Sequence, residues 1–175
     1  AVSSAHAGLA QIVFALTATI ALRTSLFWRR FTEAAPRVAT DPALLARASR
    51  LAIWAAAATY VQILLGAIVR HTGAGLAIPD WPLSFGKVVP TGADWSADGV
   101  LAHFLHRAFA WAVAALVVAA ALALRKLDVL PGLRRLSTLW LVLVSVQVSL
   151  GATSVWTSKA VWATSAHLAV GGLLW

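Results

Sequence analysis

The stretch LAHFLHRAFAWAVAALVVAAALAL, Leu101 to Leu124, is followed at once by Arg125 and Lys126. A helix that crosses a bilayer needs about 20 mainly apolar residues, each rising ~1.5 Å. This run meets that length and confines its histidines and arginine to its first turns. Working outward, three runs of similar length stand at about Ala5 to Phe27, Leu51 to Val69 and Leu136 to Trp156. A fifth starts near Val161 and reaches Trp175. Four such lengths in series argue against buried helices of a soluble domain. The expected fold class is all-α, a polytopic transmembrane helix bundle.

Composition agrees. The 175 residues are 61% hydrophobic, with a mean hydropathy of +0.83, whereas soluble domains are about 45–50% apolar. The net charge of +8 is not spread as a phosphate-binding face. It clusters in two connections, one with Arg23, Arg29, Arg30, Arg37, Arg47 and Arg50, the other with Arg125, Lys126, Arg134 and Arg135. Those are cytoplasmic by the positive-inside rule, so the connections after the second and fourth runs face outward. The expected location is a bacterial inner membrane, with the histidines toward the outer face and no nucleic-acid partner. Trp28, Trp81, Trp95, Trp156 and Trp162 fall near span ends, as an aromatic belt requires. Without cysteine there are no disulfides, thiolate metal sites or thiol catalysis. The first run lacks a basic segment before it, so it does not read as a signal peptide. With no methionine and a short last run, the chain reads as an internal piece of a longer membrane protein.

An internal echo supports the segmentation. Val61-Gln62-Ile63-Leu64-Leu65-Gly66-Ala67 resembles Val146-Gln147-Val148-Ser149-Leu150-Gly151-Ala152, and His6 pairs with His167 near the outer start of a descending helix. We expect residues 1–30 to hold the last helix of a preceding pseudo-symmetric four-helix unit. Residues 31–50 form a cytoplasmic loop, and 51–175 form a second four-helix unit, truncated in its last helix.

All five histidines, His6, His71, His103, His106 and His167, lie in or beside span ends toward one face. His106 and His167 stand at similar depth on two descending helices, a suitable axial pair for heme iron. A nonheme metal lacks a carboxylate at that depth. The bland alternative is a pair of histidines satisfied by interhelical hydrogen bonds. Ala102, Ala110, Ala163 and Gly171, one turn from these histidines, leave room for a flat macrocycle. His6 is either a heme ligand or a polar residue at a helix end. His103 lines the outer rim, donates to a propionate or faces water, with a direct iron-ligand role as the lesser alternative. Arg107 either pairs with a propionate or snorkels to the headgroups. Arg70 and His71 end the second run at the same face and are candidates for a propionate or substrate contact. The long second connection contains HTGAGLAIPDWP, His71 to Pro82. It reads as an ordered lid over the bundle mouth, with 73–90 packed between the third and fifth segments.

Leu65 to Leu76 leading into Pro79-Asp80-Trp81-Pro82 resembles the loop signature of the heme A synthases. His106-Arg107, His167, and His6 with Ala10-Gln11 resemble that family's histidine positions, and the resemblance covers essentially the whole chain. It implies eight helices in two halves, and oxidation of the C8 methyl of heme O to the formyl group of heme A. It further implies that His106 and His167 hold heme b (iron) as cofactor, and that His6 belongs to the site of the substrate, heme O. Implied partners are the lipid bilayer, a membrane electron acceptor, and a heme O synthase or a terminal oxidase. The family's cysteine pair is absent here, and its outer-loop glutamate has no counterpart. Glu33 falls in a cytoplasmic connection, and Asp80 is the nearest outer carboxylate. The catalytic residue is therefore unknown, and activity is expected of the parent protein, not of this piece alone. The alternative is a cytochrome b-type electron-transfer protein of the membrane, without synthase activity.

Overall fold

A computed structural model describes residues 2–34, 41–127 and 131–175. They form α1 (Val2–Thr24), α2 (Leu26–Ala34), α3 (Pro42–His71), α4 (Val100–Lys126), α5 (Pro131–Trp156) and α6 (Val161–Leu174). Four helices are long and apolar enough to cross a membrane, Ala5–Thr24, Pro42–His71, Val100–Lys126 and Gly132–Trp156, and α6 is a shorter apolar helix. The all-α bundle expected from the sequence is the architecture found.

Three boundaries moved: the fourth span begins at Pro131 instead of Leu136, and two others moved for a visible local reason. The first span ends at Thr24 instead of Phe27. Ser25 Oγ donates to Leu22 O at 2.6 Å, and the Trp28 N–H donates back to Ser25 Oγ at 3.2 Å. One serine thus closes α1 and caps the amphipathic α2. The second span begins at Pro42 instead of Leu51. The Asp41 carboxylate accepts from the Ala43 N–H at 2.9 Å, and Pro42 occupies the first helical turn. Arg47 and Arg50 are consequently helical, and hydropathy alone does not register that start.

Helices α3, α4, α5 and α6 pack in succession, and α3 also touches α6. The α3–α4 pair is antiparallel: Ala48 packs by Ala123 near one end, Ala55 by Val113 and Val117 further along, and Gln62 by His106 near the other. Small residues make this closeness possible; Ala48, Ala120, Ala121 and Ala163 are fully buried. Large apolar side chains such as Leu9, Ile20, Ile53, Trp54 and Trp111 point outward, the inverse of a soluble domain and suited to lipid. Many serine and threonine hydroxyls on the helices are satisfied within their own helix; Thr59 donates to Ala55 O at 2.7 Å, and Ser149 to Ser145 O at 2.9 Å. Helix α1 joins through Gly8, where a Cβ would stand 2.8 Å from Leu64 Cδ2, and through Gln11 Nε2, which donates to Gly172 O at 3.3 Å.

The connection from α3 to α4 is folded onto the bundle. Ala74–Leu76 forms a 3-10 turn, and Gly92–Ser96 forms another whose start is closed by Thr91 and Asp94. Ile78 and Pro90 are fully buried. Gly99 enters α4 with φ +81, and a Cβ there would meet Ala74 Cβ at 2.7 Å. Gly99→Ala is therefore expected to cost at least about 1–2 kcal/mol from backbone strain alone. Limited proteolysis between Gly73 and Gly99 should accelerate by about tenfold, with the helices left intact.

Candidate functional site

Elements α3–α4 and α5–α6 repeat one arrangement. Gln62 stands nine residues before His71, the last residue of α3, and Gln147 nine residues before Trp156, the last of α5. His106 and His167 each lie about 9 Å, six residues at ~1.5 Å, beyond the first residue of α4 and of α6. Each imidazole is half-buried against the preceding helix. A Cβ on Gly66 would lie 3.1 Å from His106 Cε1, and a Cβ on Gly151 would lie 3.2 Å from His167 Cε1. Even an alanine at either position would require the ring to give by a few tenths of an ångström.

The two Nδ1 atoms are engaged differently. His167 Nδ1 lies 3.1 Å from the main-chain oxygen of Gln147, so it donates its proton there and leaves Nε2 with a free lone pair. His106 Nδ1 lies 3.0 Å from Gln62 Nε2, which also donates to His106 O at 2.9 Å. Three side-chain atoms here are buried without a partner among the described residues: Gln62 Oε1, Gln147 Oε1 and Arg107 Nη1.

The other candidates fall into separate places. His103 is buried rather than at the rim or facing water, because the loop folds over it. Its Nδ1 accepts from the Ile78 N–H at 3.2 Å. Arg107 is not snorkelled; one guanidinium nitrogen donates to the Asp80 main-chain oxygen. Arg70 and His71 are exposed at the end of α3. His6 is exposed on α1. Among the described residues, no group of three or more His, Asp or Glu gathers as a metal ion held wholly by protein side chains would need.

The residues that frame the rings most closely, Gln62, Gly66, Gln147 and Gly151, are not those suggested by one-turn spacing on the histidine helices. Ala102, Ala110 and Ala163 lie along the same helices as the rings, whereas the glycines face the rings from across the interface. Gly171 serves Gln147 instead: a Cβ there would stand 2.9 Å from Gln147 Nε2. The signal was present in the repeated Gln-x-x-x-Gly of α3 and α5.

The loop over this end of the bundle is held by Asp80. Its carboxylate accepts the Phe85 and Gly86 N–H groups, both at 2.7 Å, across a tight turn in which Phe85 has φ 56 and Gly86 φ 74. Next to Asp80, Trp81 stacks on Trp111 of α4 with centroids 6.3 Å apart and meets Trp156 of α5 edge-on at 5.7 Å. The loop thus seats on α4 and the C-terminal end of α5. The expected seat lay between α4 and α6; the Trp81 ring is drawn instead to the tryptophans of α4 and α5.

Four membrane-length helices among the described residues, with His106 and His167 each set against the preceding helix and His103 under a folded loop, define a multi-pass integral membrane protein with a polar site near one end of the bundle. Residues 1–175 match the family described as cytochrome oxidase assembly protein, and the chain belongs to that family. Curated relatives carry the name heme A synthase. That of Sphingopyxis alaskensis is 36% identical over 148 residues, covering 78% of this chain and 40% of the relative. That of Erythrobacter litoralis is 39% identical over 137 residues, covering 74% and 39%, and that of Symbiobacterium thermophilum is 34% identical over 154 residues, covering 86% and 47%. The chain spans less than half the length of these relatives. No solved structure matches it.

Burial alone would raise the Asp80 carboxyl, but the N–H donors of Gly86 and Phe85, with Arg107 nearby, outweigh it and hold the group below its ordinary 3.8. A depressed folded-state value contributes stability above the unfolded value, lost as pH falls through the folded one. The fluorescence of the loop tryptophans is therefore expected to be flat from about pH 8 to 5 and to change only below about pH 4. Asp80→Ala at neutral pH should lower hydrogen-exchange protection of the Phe85 and Gly86 amides by about tenfold, the equivalent of one charge-assisted bond of ~1.5 kcal/mol.

Proposed function

We propose that the parent protein is a heme A synthase, an oxidoreductase that converts the C8 methyl group of heme O to a formyl group, with His106 and His167 as axial ligands of a heme b cofactor. The reading is carried by one observation: two half-buried imidazoles at equal depth on α4 and α6, each framed by a glycine, in a chain whose curated relatives are named heme A synthase.

The residues fit such a group. Two neutral imidazoles are the donor set that a bis-histidine heme requires. The glycines keep the ring edges uncrowded. The buried, unpartnered nitrogen of Arg107 suits a propionate, and the arginine is already oriented by the Asp80 carbonyl. Arg70 and His71, exposed at the end of α3, are proposed as outer contacts for a propionate or for substrate. His6, exposed on α1, is proposed as a ligand in the separate site of the substrate heme. When bound, heme b supplies a one-electron redox centre. The chain's own residues would orient it, with the Ile78–Trp81 segment, packed on His103 and Arg107, limiting water at that end. Proposed partners are heme O, a membrane electron acceptor, and a heme O synthase or terminal oxidase.

We place the protein in the bacterial inner membrane with the α3–α4 loop outside. Supporting this orientation, Arg23, Arg29, Arg30 and Arg125, Lys126, Arg134, Arg135 lie at the opposite helix ends. Reporter fusions to the full protein should score 73–99 as external and 127–131 as cytoplasmic; the reverse pattern would overturn the orientation.

Pigment analysis tests the function. Cells lacking the complete protein are expected to accumulate heme O and lose heme A, and the complete gene should restore heme A. Restoration of a b-type spectrum with no change in the heme O to heme A ratio would favour an electron-transfer cytochrome. His167→Ala in the full protein should abolish the low-spin bis-histidine spectrum, whereas His103→Ala should leave it in place.

A further inference from the structure

We propose that Gln62 is a positioning residue that fixes the tautomer and orientation of His106, doing with its side chain what the main-chain carbonyl of Gln147 does for His167. The inference rests on the bis-histidine reading above.

The two helix pairs have the same register. Gln62 and Gly66 on α3 face His106; Gln147 and Gly151 on α5 face His167. In each pair the glycine, one turn beyond the glutamine, admits the Cε1 edge of the ring. Each Nδ1 meets its glutamine, but through different atoms. At His167 the contact is to the main chain, Nδ1 to Gln147 O at 3.1 Å. The Gln147 side chain goes elsewhere, against the backbone at Gly171, where a Cβ would leave it no room. At His106 the contact is to the side chain, 3.0 Å from Nδ1 to the Gln62 amide.

A ring that gives Nε2 to a metal must carry its proton on Nδ1 and donate it to an acceptor, and that acceptor fixes the ring and its basicity. For His167 the acceptor is a carbonyl that no substitution removes. For His106 the adjacent polar group is the Gln62 amide. Its nitrogen cannot accept, but its Oε1 can, and Oε1 is buried with no partner. Turning the amide brings Oε1 to Nδ1 at the expense of the Nε2 bond to His106 O, a carbonyl that stays paired within α4. Gln62 then accepts from Nδ1–H, and both histidines present the same nitrogen. The consequence is an asymmetry: the His106 side of the site is tunable by one side chain, and the His167 side is not.

The test uses full-length, heme-loaded protein. The readouts are the rate of heme transfer to an apo-globin scavenger and the midpoint potential of the bound heme. Gln62→Leu, of similar volume, should speed heme release by about 10–100-fold, the usual effect of removing such a partner, and should raise the potential. Gln62→Glu keeps an acceptor of the same length; it should restore slow release and lower the potential below that of the native protein. Gln147→Leu, which retains its main-chain carbonyl, should change release by no more than a few-fold. Native-like behaviour of Gln62→Leu would overturn the proposal, and so would equal effects of Gln62→Leu and Gln147→Leu. If Gln62→Leu does not accumulate, Gln62→Glu decides: an unchanged or raised potential overturns it. The underlying reading fails separately, if His106→Ala and His167→Ala each keep the native low-spin spectrum.

Discussion

A ring nitrogen inside a bundle of apolar helices has no water to bond to, and leaving it unpaired there costs about as much as a hydrogen bond lost in a core. That constraint organises the α3–α6 bundle around its two imidazoles. His106 and His167 are tolerated because the preceding helix supplies a polar partner and a gap at the right height. The partner is the Gln62 amide in one case and the Gln147 carbonyl in the other. The gap is Gly66 or Gly151. Glutamine and glycine stand one turn apart, so a single helix face provides both. Close approach of α3 to α4 and of α5 to α6 follows, and buried alanines along the same seams permit it.

The loop between α3 and α4 answers the same need at the bundle end. Here too buried polar groups are matched across elements, His103 with the Ile78 N–H and Arg107 with the Asp80 carbonyl. Asp80 serves twice, with its carbonyl toward the bundle and its carboxylate toward its own loop. The Lys87–Asp94 ion pair at 3.1 Å lies on the outer side of the loop and is exposed, so it contributes little beside these buried contacts. A loop fixed in this way keeps the polar end of the site away from water, which the proposed redox chemistry requires of the protein.

Much of this was legible in order of residues. Hydropathy and arginine placement gave the spans, because a bilayer imposes a length on apolar runs and a charge bias on their connections. The matching positions of His106 and His167, each six residues beyond the first residue of its helix, followed from counting. The echo of Val61–Ala67 in Val146–Ala152 announced a duplicated unit, although its bearing on the histidines did not show. Helix starts at Asp41-Pro42 and the break at Ser25 were hidden, since caps are local hydrogen-bond events that an apolar average smooths over.

The sequence by itself determined that this chain is a multi-pass helical membrane protein, which histidines lie near span ends, and the family it resembles. Those properties depend on composition, spacing and local motif, each of which can be read one segment at a time. Only the tertiary structure decided that His103 is buried under the loop, that Arg107 is held by the Asp80 carbonyl, and that Trp81 settles between Trp111 and Trp156. It also decided that Gln62 and Gln147 meet the two imidazoles through different atoms. Each of these depends on the rotation of one helix about its axis relative to the next. That rotation is set by the packing of small residues across the interface, and no single segment carries it.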